Sequence, residues 1–349
     1  MSKYLTNTEF DKVIKQLMPD YQIKAPVREV FGGRFAHTDN IVYGDITQTD
    51  DIVWQEKSHF SPNEVVTPVT ETLFHFNGSE LKQSTIDPRP TIVFARACDI
   101  HGLKRLDNMY LKNGGNEYFY YKRLRTKLKI VLLECKSSFD SCFCVSMGTN
   151  KTQDYAASVR FDDQGVSIEI KDQDLVSYFD EIGCDIEFAA SFVQENKEVV
   201  CTPDSVCDSP KVIRKILTNH EMWDEFDKRC IACGRCTTSC TTCSCYSVFD
   251  VAYEENEKFG ERRRQLSSCM VDGFSDMAGG HNFRNKHGER LRYRALHKVN
   301  DYKARQGENH MCVGCGRCDD RFPQYISFSN LINNMTDTVA AELAAEGEK

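Results

Sequence analysis

The run Cys230-Ile-Ala-Cys233-Gly-Arg-Cys236-Thr-Thr-Ser-Cys240 constrains this chain more than any other stretch, and an echo of it returns at Cys312-Val-Gly-Cys315-Gly-Arg-Cys318. The first copy has the spacing C-x2-C-x2-C-x3-C. Four thiolates within eleven residues can wrap an iron–sulfur cubane. The small linkers let the backbone curl round the iron and aim its N–H groups at the sulfides, and this is the ferredoxin spacing. Zinc sites instead use two C-x2-C pairs across a longer loop. The spacing therefore favours iron–sulfur over zinc and over reduced cysteines packed in a core.

The chain has 349 residues and 17 cysteines, enough length for about two domains. The N-terminus lacks an apolar segment of the secretory kind, and no apolar run approaches the ~18 residues of a membrane helix. Many cysteines without export imply reduced thiols or metal ligands rather than disulfides, so a cytoplasmic and anaerobic setting is expected, with no membrane partner. Net charge is −8, yet residues 260–310 carry eleven Lys/Arg against six Asp/Glu. Most of these charges read as a solvated helix surface. The basic stretch also suggests a docking face for an acidic partner or an anionic substrate, with Arg262, Arg263 and Arg264 the candidates for docking a partner subunit. Nucleic acid is not expected as a partner, because the whole chain is acidic and has no nucleic-acid motif.

The first 22 residues open with a capping box, Thr6-x-x-Glu9, followed by Phe10, Val13, Ile14 and Leu17 at helical spacing. Residues 23–77 alternate as strands do. Thr91-Ile-Val-Phe94 and Lys129-Ile-Val-Leu-Leu133 read as buried strands of an α/β layer. Cys98 and Cys135 follow their C-terminal ends, where ligands bind in α/β sheets, and Cys142 and Cys144 come soon after. These four cysteines are candidates for a third cluster, although their spacing fits no standard motif; the bland reading is buried structural thiols. The expected fold is an α+β or α/β N-terminal domain over 1–200, followed by a mainly helical dicluster ferredoxin domain over 201–349. The 71 residues between Cys240 and Cys312 read as helices and loops.

In two-cluster ferredoxins the fourth cysteine of each run ligates the other cluster. Cys240 then joins Cys312, Cys315 and Cys318. The cluster on Cys230, Cys233 and Cys236 should take its fourth thiolate from the position before Pro323, which is Phe322. Phenylalanine has no donor atom. Cys243 and Cys245 are the natural substitutes; a three-iron or solvent-ligated site is the other outcome. Two [4Fe-4S] clusters are expected, or three if the N-terminal cysteines bind one.

The segments Cys240-Thr-Thr-Cys243-Ser-Cys245, Ser268-Cys269-Met270 and Gly273-Phe-Ser-Asp-Met-Ala-Gly-Gly-His-Asn-Phe-Arg284 resemble a family of iron–sulfur electron carriers. The family is shared by cytoplasmic sulfhydrogenases, where it supplies the beta subunit, and by anaerobic sulfite reductase. Phe94-Ala-Arg-Ala-Cys-Asp99 and Cys142-Phe-Cys-Val-Ser-Met-Gly148 belong to the same pattern, and the resemblance spans roughly residues 25–335. Residues 32–40, 147–151 and 292–302 lie closest to the iron–sulfur subunit of the sulfite reductase branch. The family usually has cysteine where this chain has Phe322 and proline where it has Thr241, the second change being read as harmless. The resemblance implies a three-subunit enzyme. In it, NADH is oxidised by a flavin subunit, this chain carries the electrons, and a sirohaem subunit reduces sulfite to sulfide.

Three other readings compete. In a hydrogenase or sulfur reductase complex the local chemistry would be the same. A catalytic sirohaem subunit would use C-x5-C and C-x3-C, which Cys201-x5-Cys207 and Cys236-x3-Cys240 match formally, but the ferredoxin run already claims the last two. A non-redox protein with structural clusters is the third. Gly279-Gly280 and Gly314-x-Gly316 are too isolated to form a nucleotide fingerprint, so flavin or NAD is not expected in this chain.

Overall fold

The capping box forms as the sequence predicts. Thr6 N–H donates to Glu9 at 2.8 Å, and Glu9 N–H donates back to the Thr6 hydroxyl at 3.3 Å. It starts the helix Asn7–Leu17, which buries Phe10, Val13, Ile14 and Leu17. The computed structural model describes residues 1–253 and 258–347. Their main strands are β1 (Ser2–Thr6), β2 (Gln22–Glu29), β3 (Asn40–Asp45), β4 (Thr70–Asn77), β5 (Glu80–Gln83), β6 (Thr91–Ala95), β7 (Leu128–Leu133), β8 (Ala157–Phe161), β9 (Gly165–Ile170), β10 (Cys184–Asp185), β11 (Tyr246–Ala252) and β12 (Phe259–Leu266). The chain divides into two units: one of residues 1–68, 85–139 and 149–195, the other of residues 69–84, 140–148 and 196–349.

The first unit is built on an eight-stranded mixed sheet in the order β10-β1-β9-β8-β7-β6-β2-β3. Its centre is parallel, with β2 on β6, β6 on β7 and β7 on β8. Strands buried on both faces lose the polar alternation, which is why β6 and β7 read as continuous apolar runs. One face packs Phe94, Val131 and Val159 against the first helix. The other packs Val93 and Leu132 against Ile100, Leu103 and Leu106 of the helix Ala97–Tyr110.

The second unit joins a helical layer to a four-stranded antiparallel sheet, β11-β12-β4-β5. This corrects the expectation of helices and loops between the two cysteine runs, where β11 and β12 form a hairpin with Tyr246 opposite Leu266. A register shift against β4 between Arg262 and Arg263 interrupts the alternation of β12, and Arg264 is buried while Arg262 is exposed. Arg264 is 2% exposed and pairs with Glu71 of β4 at 3.0 Å. Arg262 makes a two-point pair with Asp250 at 2.7 Å, and Arg263 pairs with Glu261. Each arginine therefore has an acidic partner nearby.

The helices His287–Leu296, Pro210–Thr218 and Phe328–Gly347 enclose the second unit's core, where Leu217, Leu291, Ile332 and Met335 are fully buried. The same core contains Cys236, Cys269 and Cys318. Among the described residues no helix is long and apolar enough to cross a membrane.

Candidate metal centre

Both cysteine runs fold into the same turn. Gly234 has φ 72° and ψ −4° and starts the helix Arg235–Thr238. Gly316 has φ 69° and ψ −4° and starts the helix Arg317–Arg321. Two residues before each glycine the backbone is left-handed again, at Ala232 (φ 54°) and Gly314 (φ 63°). Only glycine adopts this region without cost, so the small linker residues are a conformational requirement as well as a steric one. At the second run they also permit close packing. A Cβ on Gly314 would lie 2.5 Å from Phe143 O, and one on Gly316 would lie 2.3 Å from Ser141 O.

Electrostatic interactions link the sulfurs within and across the two runs, although among the described residues no three potential ligands stand in a ready-made metal site. Cys240 stands beside Cys312 and Cys318, and Cys315 is charge-coupled to both of these. Cys236 stands beside Cys230 and Cys269, and Cys230 beside Cys233. The electrostatic link from Cys240 to the second run is compatible with the ferredoxin rule, in which the fourth cysteine of one run ligates the other cluster. Cys315 and Cys318 are buried, whereas Cys233 is exposed and Ile231 beside it is 54% exposed. The second run thus lies inside the unit and the first reaches its surface.

Two buried cations serve these sulfurs. Arg294 is 2% exposed, and its Nη2 donates to Cys236 O at 2.9 Å. Its guanidinium lies 4.3 Å from the Phe328 ring centroid, and Nε and Nη1 have no hydrogen-bond partner among the described residues. Lys298 is 3% exposed and donates to Thr242 Oγ1 at 2.8 Å. Burial alone would lower the pKa of both. The sulfurs beside them, Cys236 and Cys318 for Arg294 and Cys240 and Cys243 for Lys298, outweigh it and hold both above their ordinary values. Burial in turn pushes Cys236 up to about 11 and Cys312 up to about 12. Thiols must lose their protons to bind metal, and the two cations favour that loss.

This arrangement fits an anionic iron–sulfur group. A buried guanidinium with two unpartnered nitrogens is costly without a negative counterpart, and thiolate-bound clusters supply one. Lys298 lies in the π-helical turn His297–Asp301, a geometry that frees a carbonyl. That carbonyl accepts from Met311 N–H at 3.0 Å and Cys312 N–H at 3.1 Å, tying down the start of the second run. Gly314 N–H points at Cys312 Sγ at 3.5 Å. Thr241 is 1% exposed; its hydroxyl donates to Cys315 Sγ at 3.7 Å and accepts from Arg317 Nη1 at 3.0 Å. Proline at 241 could make neither contact, so the residue read as harmless reaches a cysteine of the site. Arg294 and Lys298 were missed as site residues because their helix reads as an ordinary charged surface.

The remaining candidate cysteines distribute as follows. Cys243 donates to Cys240, which lowers the Cys240 thiol and raises its own. Cys245 is hydrogen-bonded to Cys269 and lowered by it to about 7. Cys142 donates to Cys315 O at 3.4 Å, and Phe143 N–H donates to Gly314 O at 2.8 Å, so this segment walls the second run. Cys144 accepts from Asn196 Nδ2 at 3.6 Å. Cys98 and Cys135 belong to the first unit. There Cys135 accepts from Arg96 Nη1 at 3.2 Å, while Arg96 Nη2 donates to Trp54 O and Glu56 O, both at 2.9 Å. Cys201 is exposed, and Cys207 donates to Ser209 O at 3.8 Å.

A family model for 4Fe-4S dicluster domains matches residues 229–326. The chain is also similar to the beta subunit of sulfhydrogenase 2 from Pyrococcus furiosus, at 27% identity over 351 residues, which cover 94% of this chain and 96% of that relative. No solved structure matches it significantly. The chain therefore carries [4Fe-4S] clusters and is an iron–sulfur electron-transfer subunit related to a hydrogenase or sulfur reductase beta subunit.

Proposed function

We propose that the chain passes electrons between two partner subunits of an oxidoreductase, with Cys240, Cys312, Cys315 and Cys318 holding one cluster and Cys230, Cys233 and Cys236 holding the other. Arg294 carries this reading, because it contacts the first run and is charge-coupled to Cys318 of the second. Two clusters that share a buried cation stand close enough to exchange electrons. The clusters supply reversible one-electron chemistry; the polypeptide holds them, excludes water from the inner one and balances their charge. The exposed Cys233 side is the electron port toward a partner.

The terminal reaction belongs to a partner subunit and is either hydrogen-linked or the reduction of a sulfur species. A hydrogenase or sulfur reductase complex is favoured by similarity along nearly the whole chain to the beta subunit of a sulfhydrogenase. The second reading is a cytoplasmic, anaerobic sulfite reductase with flavin and sirohaem subunits, favoured by residues 32–40, 147–151 and 292–302. Co-purification of the native complex under nitrogen tests both. Flavin and sirohaem are measured on each subunit, and hydrogen and sulfite are offered as substrates. Sirohaem with sulfite turnover selects the second reading; hydrogen-linked turnover without sirohaem selects the first. The lone chain should accept electrons from reduced viologen and release no sulfide, and sustained sulfide production by it would sink the electron-carrier reading.

A further inference from the structure

The ferredoxin spacing asks for a fourth thiolate at Phe322, which cannot supply one. We propose that Cys269 is the missing ligand of the cluster on Cys230, Cys233 and Cys236. The inference rests on the dicluster reading above and adds a ligand that neither cysteine run contains.

The hairpin explains how a distant residue arrives. Cys245 immediately precedes β11 and Cys269 follows β12, and the pairing of Tyr246 with Leu266 closes the 23 intervening residues into a loop. Ser267 N–H donates to Cys245 O at 2.9 Å and continues the ladder past the strand ends. The segment after it packs directly on the first cysteine turn. A Cβ at Gly234 would lie 3.1 Å from Ser268 Cβ and 3.0 Å from Val271 Cγ1. Cys269 is 5% exposed and adjoins Cys236 in the same core. Its position is pinned on both sides. Met270 N–H donates to the Ser268 hydroxyl at 3.1 Å, and the buried Arg290 reaches Met270 O at 3.5 Å and Asp272 at 2.5 Å.

The other spare cysteines are placed differently. Cys243 is hydrogen-bonded to Cys240, the residue assigned above to the inner cluster. Cys245 is hydrogen-bonded to Cys269. On coordination the Cys269 sulfur binds iron and its proton passes to Cys245, whose thiol then donates back to the ligand sulfur and holds it in place. Phe322, partly buried in the same core, covers the cluster with an apolar ring.

The experiment uses the full chain, purified anaerobically, with iron and acid-labile sulfide counted and paramagnetic resonance recorded. The wild-type chain should hold about eight irons in two cubanes and show no three-iron signal. Cys269→Ala should lose about one iron and gain a three-iron signal. Cys269→Ala combined with Phe322→Cys should recover the four-iron signal, since that places a thiolate where the ferredoxin spacing expects it. This rescue also separates ligand loss from misfolding. If the single variant does not fold, Cys269→Ser serves, and a hydroxyl-for-thiolate change in this cluster's spectrum supports the proposal. Unchanged iron and spectra in the Cys269 variants overturn it, as does a loss confined to Cys245→Ala or a three-iron signal already present in the wild type. A wild-type chain with fewer than two clusters would instead overturn the dicluster reading itself.

Discussion

Thr241 shows how much one side chain can add to a site that its neighbours define. Its hydroxyl reaches Cys315 Sγ at 3.7 Å while Arg317 holds it from the other side at 3.0 Å. Hydrogen bonds to ligand sulfurs stabilise the more negative, reduced cluster and raise its potential. Thr241→Val keeps the shape and removes the donor. The potential of the inner cluster should fall by up to about 60 mV, a tenfold change in a one-electron equilibrium. Anaerobic redox titration followed by paramagnetic resonance checks this, and an unmoved midpoint would show that the hydroxyl serves Arg317 alone. Arg294 and Lys298 act in the same direction with full charges, although nothing in their local sequence marks them as different from the exposed cations nearby.

At the scale of the element, the C-x2-C-G-R-C turn is the repeated unit, and its two copies differ where the backbone is strained. The second copy has glycine at both left-handed positions, whereas the first has Ala232 at φ 54°. An alanine there costs about 1–2 kcal/mol, partly offset by the extra freedom that glycine loses on folding. Ala232→Gly should therefore stabilise the chain by roughly 1 kcal/mol or less. Gly316→Ala should do the reverse and more severely, because its Cβ would meet Ser141 O at 2.3 Å. A loss of about 2 kcal/mol or more is expected, with reduced cluster occupancy. Denaturant titrations of the two variants, read with iron content, decide the matter; equal effects at both positions would contradict the strain argument.

For the whole molecule, the two units differ in what holds them together. The first has its own cores on both faces of the mixed sheet, built from aliphatic and aromatic side chains. The second includes Cys236, Cys269 and Cys318 within its core and buries two cations beside cysteine sulfurs, Arg294 by Cys236 and Cys318 and Lys298 by Cys240 and Cys243; on the proposed assignment these are cluster thiolates. Removing iron should therefore loosen the second unit selectively, since metal binding energy is folding energy where the ligands are core residues. After anaerobic chelation, amide protection should fall across residues 229–326 and persist in β6 and β7. Uniform loss across both units would mean that they fold as one cooperative body.

Much of this was legible in the chain itself. The cluster chemistry follows from local spacing, because four thiolates within a few residues can meet one cubane whatever lies around them. The first helix and strands β6 and β7 follow from patterns that local burial imposes. The hairpin of β11 and β12 was missed because its charged residues mimic a solvated helix face; only pairing with β4 shows Arg264 turned inward against Glu71. Tertiary structure alone also decided which spare cysteine approaches Cys236. Cys243 and Cys245 are nearer in sequence, yet the segment that follows the closed hairpin also brings Cys269 beside Cys236. Spacing along a chain records only contacts that a short loop can make, while a ligand delivered across a sheet depends on register, which appears once the strands have paired.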